Sequence, residues 1–420
     1  MNLLVKSIKI ADPKSEFNSK TCDIRIEKGS ITAIAEHLTA NKNEQVFEAA
    51  GSILSPGFMD LNCMIGDPGF ETKEDLKTGT AAAKAGGFTA VAVQPSTKPV
   101  IHSKSEVEYL LNKAKGNLVD IYPLGAISQN LEGKELAEMY DMKTAGAVAF
   151  SEGNKTLTDD GFMSRALQYA LGFDGLLITF PENKAISTKA HVNESENTIL
   201  LGMKGIPALA EEMQISRDLF LAQYHGAPVH ISNISTAGAV TMIKKAKKDG
   251  IKVTCDVAAH QLIFTDDLLS GFDSNYKVKP PLRSKADVKA LLAGLKDGTI
   301  DAISTQHRPH EIEFKDVEFE IAAYGIIALQ TALPLLLQAG LSPELIVQKM
   351  ALNPRKLLKL ETPVIKVGSK ANFVVYNPEQ KWQYTSQNNY SKSANSPLLN
   401  KELTGKVQLV YNNSQYQSYE

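Results

Sequence analysis

The feature that most constrains the fold of this chain is a regular alternation of short apolar segments with segments whose apolar residues recur at helical spacing. The first apolar segment begins at Ser55 and runs to Asp60, and the others lie at 89–94, 121–127, 147–150, 176–180, 229–234, 253–257 and 300–305. Helical spacing separates them, for example at 73–85, 105–114, 161–171, 237–248 and 286–295. Eight such units in roughly 300 residues predict a (β/α)8 barrel, in which functional side chains follow the carboxyl ends of the strands.

Both ends of the chain have strand and turn patterns instead. Near the N-terminus, Ile24 and Ile26 alternate with charged residues before a Lys28-Gly29 turn, and residues 2–53 as a whole look like short strands. After a helical stretch at 344–358, residues 364–367 and 373–376 predict a hairpin and 406–411 a last strand. We expect 1–54 and 363–420 to form one small β-sandwich domain, with the barrel of residues 55–362 inserted in it.

Composition excludes several classes of function. The net charge of −2 and the absence of basic clusters interleaved with aromatic residues argue against nucleic acid as a partner. Lys6 and Lys9 interrupt the only apolar stretch near the N-terminus, which argues against a signal peptide. The apolar stretch at 326–340 is shorter than the ~20 residues that cross a bilayer, which argues against a membrane-spanning helix. The 3 cysteines are widely spaced, as expected for reduced thiols. We therefore expect a cytoplasmic protein that binds no membrane.

Seven short motifs carry a resemblance to a known family. They are Gly69-Phe70-Glu71, Gly86-Gly87-Phe88-Thr89, Ala149-Phe150-Ser151, Gly205-Ile206-Pro207-Ala208, Ser235-Thr236-Ala237-Gly238, Lys279-Pro280-Pro281-Leu282-Arg283 and Asp297-Gly298-Thr299-Ile300-Asp301. In this order and at these separations they resemble dihydroorotases of the long type, and through them hydantoinases and allantoinases, over nearly the whole chain. The resemblance implies a barrel of the metal-dependent amidohydrolase type. In such enzymes, zinc lowers the pKa of a bound water to about 7 and polarises the amide carbonyl.

The functional residues of the family can be placed on this sequence one at a time. Five positions, here called the ligand positions, correspond to its metal-binding His and Asp residues: Asn62, Met64, Phe180, Asn233 and Gln306. Three more, the substrate positions, correspond to residues that hold the substrate: Gly66, Ser96 and Lys279. A phenyl group has no lone pair for a cation, and carboxamides bind zinc poorly compared with imidazole or carboxylate. The resemblance therefore implies a degenerate site that binds no metal, with Met64 and Phe180 filling the volume of the lost imidazoles.

Several polar residues near these positions remain as candidates. Glu152 is what is left of an acidic pair that follows the fourth strand in the family. His307 and His310, with Arg308 between them, could form an anion-binding or acid–base cluster, or they could be inherited loop residues. Cys63 could be a nucleophile or a buried, inert thiol, and strand alternation turns it away from the side that Asn62 and Met64 face.

Three functions are compatible with these residues. The first is a non-catalytic dihydroorotase-like protein of pyrimidine synthesis without a cofactor, because the family includes non-catalytic members that associate with aspartate carbamoyltransferase. The second is an active dihydroorotase or a related cyclic-amide hydrolase that uses residual groups, and this function would require zinc. A third is a small-molecule sensor using Lys279, Arg308 and His310. We also expect a homo-oligomer.

Overall fold

A barrel of parallel strands and a sheet built from both ends of the chain make up the structure, a computed structural model that describes residues 2–419. The strands are β1 (Asn2–Ile10), β2 (Thr21–Glu27), β3 (Ser30–Ala35), β4 (Gln45–Glu48), β5 (Ile53–Pro56), β6 (Phe58–Cys63), β7 (Phe88–Val93), β8 (Asp120–Ala126), β9 (Ala149–Ser151), β10 (Leu177–Thr179), β11 (Val192–Asn193), β12 (Gly205–Ile206), β13 (Val229–Ile231), β14 (Val253–Ala258), β15 (Ala302–Ser304), β16 (Phe373–Tyr384), β17 (Lys401–Asn412) and β18 (Gln415–Ser418). The helices are α1 (Leu76–Ala85), α2 (Lys104–Lys113), α3 (Met139–Ala145), α4 (Asp160–Leu171), α5 (Glu196–Ile199), α6 (Ala208–His225), α7 (Ala237–Lys248), α8 (Lys285–Asp297), α9 (Ala332–Gln338), α10 (Pro343–Val347) and α11 (Asn353–Leu357).

Eight parallel strands form the barrel in the order β6, β7, β8, β9, β10, β13, β14, β15. The first and last strands meet through a bridge between Cys63 and His307, where the Met64 amide donates to the His307 carbonyl over 3.0 Å. Every residue of β6 and β7 is buried, as expected for parallel strands covered on both faces. The predicted (β/α)8 fold class is confirmed.

Several helices between the strands begin at side-chain caps, although α3 and α6 do not. The Asp75 carboxylate accepts from the Thr78 amide at the start of α1, and the Thr236 hydroxyl accepts from the Ala239 amide at the start of α7, over 2.8 and 3.0 Å. Ser284 caps α8 in the same way. Such caps satisfy amides that have no partner within the helix, so these three helices start at a fixed point after the preceding strand or loop.

Strands from both termini form a second sheet. Its order is β18, β17, β16, β5, β1, β2, β3, with β4 also paired to β1. The antiparallel pairing of β5 with β16, in which Ile53 lies opposite Tyr376, joins the two ends of the chain. The division at 54/55 and 362/363 stays a prediction, and β5 lies across the first of these limits.

Two details of the predicted C-terminal strands were wrong. Residues 364–367 are not a strand, and the hairpin is formed by β16 and β17. The chain also continues past 406–411 into β18, which pairs with β17. Short apolar stretches of this kind can be placed in a strand only by the partner strand that covers them.

Within residues 2–419, no helix is both long and apolar enough to cross a membrane.

Candidate functional site

The ligand positions lie where four barrel strands end. Asn62 is the next-to-last residue of β6, and Met64 directly follows that strand. Phe180, Asn233 and Gln306 come within two residues of the ends of β10, β13 and β15. Asn62 and Asn233 share one partner, since both side-chain amides donate to the Ser232 hydroxyl, over 3.3 and 3.1 Å. The Gln306 amide instead donates to the Lys279 carbonyl over 2.6 Å. The structure therefore gathers these positions at one mouth of the barrel.

A network of hydrogen bonds around Asp256 fills the space beside the two asparagines. The partners of its carboxylate are the Asn233 amide at 3.0 Å, the Ser304 hydroxyl at 2.8 Å, the Ser232 hydroxyl at 3.0 Å and His230 Nε2 at 2.8 Å. The Asp256 side chain is 1% exposed. A carboxylate with four donors around it is satisfied where it is, and it has no lone pair turned toward an open cavity.

Asp60 joins the first and last strands rather than serving the mouth. It accepts from the Thr305 amide over 2.8 Å, from the Thr305 hydroxyl, and from the Asn62 amide over 3.2 Å. Burial raises the pKa of its carboxyl, and the hydrogen bonds from Thr305 oppose that rise. Asp60 and Asp256 therefore have separate hydrogen-bond partners.

Phe180 directly follows β10 and is buried at the mouth. Its side chain is 3% exposed, and the cavities on its two sides are about 10 Å³ each. One is lined by Glu152 and Thr156, the other by Glu182 and Lys279. A cavity of that volume holds about one water molecule, so neither has room for a cyclic amide.

The substrate positions are closed as well. A Cβ built at Gly66 would overlap the carbonyl oxygen of Phe70, so a larger residue there requires a backbone shift. Ser96 lies against Gly153, where the second residue of the family's acidic pair would be, and a Cβ at Gly153 would overlap the Ser96 hydroxyl. Lys279 is engaged by Glu182, with 2.6 Å between Nζ and Oε1.

Glu152 is occupied by the loop after β8. Its Oε1 accepts from the amides of Ile127 and Ser128 over 3.1 and 2.7 Å, and its Oε2 accepts from the Ser128 hydroxyl over 2.8 Å. Burial raises the pKa of this carboxyl, and the Ser128 hydrogen bonds oppose the rise. The contacts assign Glu152 a role in fixing a loop.

His307 and His310 have different partners. His307 is 1% exposed; its Nδ1 accepts from the Ala328 amide over 3.1 Å, and its Nε2 donates to Glu74 Oε2 over 3.3 Å. His310 Nε2 donates to the Tyr324 carbonyl over 3.1 Å, and burial lowers the pKa of this imidazole to about 4. His310 also lines a cavity of about 750 Å³ whose walls include none of the ligand positions. The two rings therefore share no hydrogen-bonding partner.

The residues present do not fit a catalytic zinc ion. Such a site needs about three imidazole, thiolate or carboxylate ligands within ~2.0–2.3 Å of the metal. In the described part of the chain, no three His, Cys, Asp or Glu side chains are placed to hold a metal ion. The thiol of Cys63 is fully buried between the strands, and burial raises its pKa well above the usual value.

Sequence reasoning missed the residues whose hydrogen bonds connect the side chains at the mouth. Ser232 and Ser304 link the asparagine positions to Asp256, and Glu74 holds His307. A signal was present in each case, because Ser232 directly follows β13, Ser304 ends β15 and Glu74 lies two residues before α1. Their pairing depends on which strand lies beside which, and a single sequence does not give it.

His260 gives a testable consequence of burial near this mouth. It follows β14, is 1% exposed, and has no hydrogen-bond partner on either ring nitrogen among residues 2–419. Burial lowers the pKa of its imidazole to about 3. In the unfolded chain the His260 imidazole takes up a proton near pH 6.5, whereas in the folded chain it stays neutral at that pH. The free energy of unfolding therefore falls as the pH drops below about 6.5.

We expect His260→Leu to remove this loss. Between pH 7 and pH 5 the native chain should lose about 2 kcal/mol of unfolding free energy through His260, and the variant should not. Urea denaturation at both pH values measures the difference. The exposed His37 supplies the control, His37→Leu. Equal pH dependence in the native chain and the His260 variant would contradict the assignment.

Comparison with known proteins gives one consistent result. A family model described as "Dihydro-orotase-like" matches residues 51–239. The chain is 42% identical over 410 residues to a dihydroorotase of Geotalea daltonii, and 39% identical over 411 residues to a dihydroorotase of Acetivibrio thermocellus, with 96% of each chain covered in both cases.

Solved structures of the same fold are more distant in sequence. An L-hydantoinase (dihydropyrimidinase) from Arthrobacter aurescens superposes with a TM-score of 0.86 at 22% identity, covering 99% of this chain and 95% of the other. A D-hydantoinase from Thermus sp. gives 0.81 at 22% identity, covering 99% and 97%. At this identity the likeness shows the fold alone.

Proposed function

Because the chain belongs to the dihydroorotase family, we propose that it is a non-catalytic member of that family, a protein of pyrimidine biosynthesis whose metal site has degenerated. On this proposal it supports the assembly of aspartate carbamoyltransferase instead of hydrolysing a cyclic amide. The proposal rests on the site and not on the fold, since one fold serves many functions.

The observation that carries the proposal is the chemistry of the ligand positions. They hold two asparagines, a glutamine, a methionine and a phenylalanine. The amides and the thioether offer a metal ion only neutral ligand atoms, and the phenyl group offers none. Zinc in proteins is held by thiolate, imidazole and carboxylate groups. Phe180 leaves cavities of about 10 Å³ on either side, which supports the view that substrate has no room as well as no metal.

The surrounding residues support the same proposal. Asn62, Asn233 and Asp256 share hydrogen bonds through Ser232, so two of the five ligand positions belong to one network. Such pairing offsets the cost of burying these polar side chains in a barrel interior. The network supports a stabilising role for the two asparagines.

The alternative is an active dihydroorotase or related cyclic-amide hydrolase acting through residual groups and zinc. The observation in its favour is that curated relatives covering almost the whole chain are dihydroorotases. Its difficulty is that Glu152 and His307 are committed to Ser128, Ala328 and Glu74. The alternative therefore requires the loops that these residues hold to rearrange.

The partner proposal is tested by recovery from the native cell. The chain keeps its similarity to dihydroorotases over almost its whole length, while the ligand positions at the mouth differ. Selection for binding a partner, without selection for catalysis, would leave this pattern. We expect the tagged chain to recover an aspartate carbamoyltransferase chain at near-equal stoichiometry from extract. Recovery of the protein alone, together with unchanged carbamoyltransferase assembly in a deletion strain, would contradict the proposal.

A further inference from the structure

Helix α6 presents an apolar stripe to solvent. Leu209, Met213, Phe220 and Tyr224 are 51, 48, 70 and 83% exposed. At 3.6 residues per turn they fall within about 60° of one another around the helix axis. Surface helices ordinarily place polar residues there. The opposite face of α6 is the buried one, where Ile215, Leu219 and Ala222 join the barrel core.

The stripe carries no charge. The two ionisable residues beside it, Glu212 and Arg217, turn to neighbouring helices. Glu212 accepts from Thr236 at the start of α7 over 3.3 Å, and Arg217 pairs with Asp160 of α4 over 3.1 Å. In a symmetric contact the two Arg217 side chains would be the like charges nearest each other, and each is already paired with Asp160 and with Asp218 of its own chain, at 3.1 and 2.8 Å.

The spacing of the stripe is symmetric along the helix. Leu209 and Tyr224 are equally far from the point between Ser216 and Arg217, and so are Met213 and Phe220. If two copies of α6 cross antiparallel about a two-fold axis at that point, Leu209 faces the partner's Tyr224, and Met213 faces the partner's Phe220. Ser216, half-buried and small, lies on the stripe at the crossing point, where it lets two helix backbones approach.

The amount of apolar surface also fits a dimer. With ~150–250 Å² for each fully exposed large side chain, the four residues offer roughly 500 Å². A standard interface buries ≈ 800 Å² per partner, of which about 60% is apolar, so the stripe supplies roughly the apolar part of one such interface.

We propose that the α6 stripe, formed by Leu209, Met213, Ser216, Phe220 and Tyr224, binds the same stripe of a second copy in an antiparallel, two-fold symmetric helix pair. This interface does not depend on whether the chain is catalytic. It assigns the outer face of α6 to self-association and leaves other surfaces of the barrel for a different partner.

Charge substitution tests the pairing. In a symmetric interface one substitution acts twice, so Phe220→Lys and Met213→Glu should each raise the dimer dissociation constant by about 100-fold or more, measured by sedimentation equilibrium. The double variant Met213→Glu/Phe220→Lys should return to within about 10-fold of the native constant, because each new carboxylate then faces the partner's new ammonium group. Ile321→Lys, at a side chain that is 71% exposed elsewhere, should change nothing.

Cross-linking tests the crossing point without weakening the interface. Ser216→Cys should form an intermolecular disulfide on oxidation, since the two positions 216 lie beside the axis; Ser105→Cys on the exposed face of α2 should not. The three native cysteines are buried and do not compete.

Three results would overturn the proposal. The native chain could be a monomer at all accessible concentrations, or it could form an oligomer that Phe220→Lys leaves intact. A native chain that is monomeric alone but binds aspartate carbamoyltransferase through a contact that Phe220→Lys removes would assign the stripe to that partner. The last result would leave the proposed function standing while removing this interface.

Discussion

Homogeneous protein should leave dihydroorotate and carbamoyl-aspartate unconverted beyond the uncatalysed rate. Hydrolysis of a cyclic amide needs an activated water and a polarised carbonyl, and metal-dependent enzymes obtain both from the ion. Here the ligand positions supply no imidazole or carboxylate, and Gly66 lacks room for a side chain that could hold the substrate carboxylate. On the proposed function, positioning of the substrate, which is worth several orders of magnitude in rate, is absent together with the nucleophile.

The assay has a natural positive control in the Geotalea daltonii relative. Under the same conditions an active enzyme should accelerate the reaction by at least ~10⁶-fold over the uncatalysed rate. Both proteins should be made in a host that lacks its own dihydroorotase, since trace contamination would imitate weak turnover. Zinc-dependent conversion by this chain, lost in a Gln306→Ala variant, would favour the active alternative.

Replacing Arg283 with methionine should destabilise the protein by roughly 3–5 kcal/mol at pH 7. Arg283 is 2% exposed and donates to Ser235 Oγ at 3.0 Å, to Asn193 Oδ1 at 2.8 Å and to the Ile206 carbonyl at 2.8 Å. It also lies 3.5 Å from the carboxylate of Glu211, which is fully buried in α6. The variant keeps the volume of the side chain but leaves this carboxylate without a cation.

The pH dependence of that loss identifies its cause. Burial raises the pKa of Glu211, and Arg283 opposes the rise, so the substitution should raise this pKa further. A carboxyl whose pKa is higher in the folded chain than in the unfolded chain costs stability as the pH rises through the unfolded value. The destabilisation by Arg283→Met should therefore shrink as the pH is lowered and the carboxyl takes up a proton.

Two further variants complete the experiment. Arg283→Met with Glu211→Gln should recover part of the loss at pH 7, since no charge remains buried. Lys285→Met is the control: its side chain is 82% exposed and pairs with Asp267 at the surface, so its effect should be far smaller than that of Arg283→Met. Urea denaturation provides all four free energies. A loss below about 1 kcal/mol for Arg283→Met, or one that Glu211→Gln leaves unchanged, would contradict the assignment.

The barrel could be predicted from sequence because its strands are continuously apolar and its helices are periodic. The predicted segments at 89–94 and 253–257 coincide with β7 and β14 to within a residue, and the one at 237–248 coincides with α7. Parallel strands buried on both faces leave little ambiguity. The terminal strands were harder, because half-buried antiparallel strands depend on their partners. In β18 only Tyr416 is half-buried, and the other three residues are exposed.

The candidate site divides in the same way. The topology of a parallel barrel places every strand end at one mouth, so Asn62, Phe180 and Asn233 could be assigned to a common region from the sequence. The register between strands could not be derived, and the sharing of Ser232 by two asparagines depends on it. The apolar stripe on α6 was also missed, because a sequence does not say which apolar residues of a helix remain uncovered.

Metal content is the most direct test of a degenerate site. The protein should be purified, dialysed against buffer with micromolar zinc, passed through a desalting column and analysed for metal beside the Geotalea daltonii relative. The account predicts well below one zinc per chain. It also predicts that Asn62→His with Met64→His does not restore full binding, because the buried Phe180 still stands at a third ligand position and offers no donor. Near-stoichiometric zinc in the unmodified chain, with ligands located at the strand ends between Asn62 and Gln306, would contradict the account.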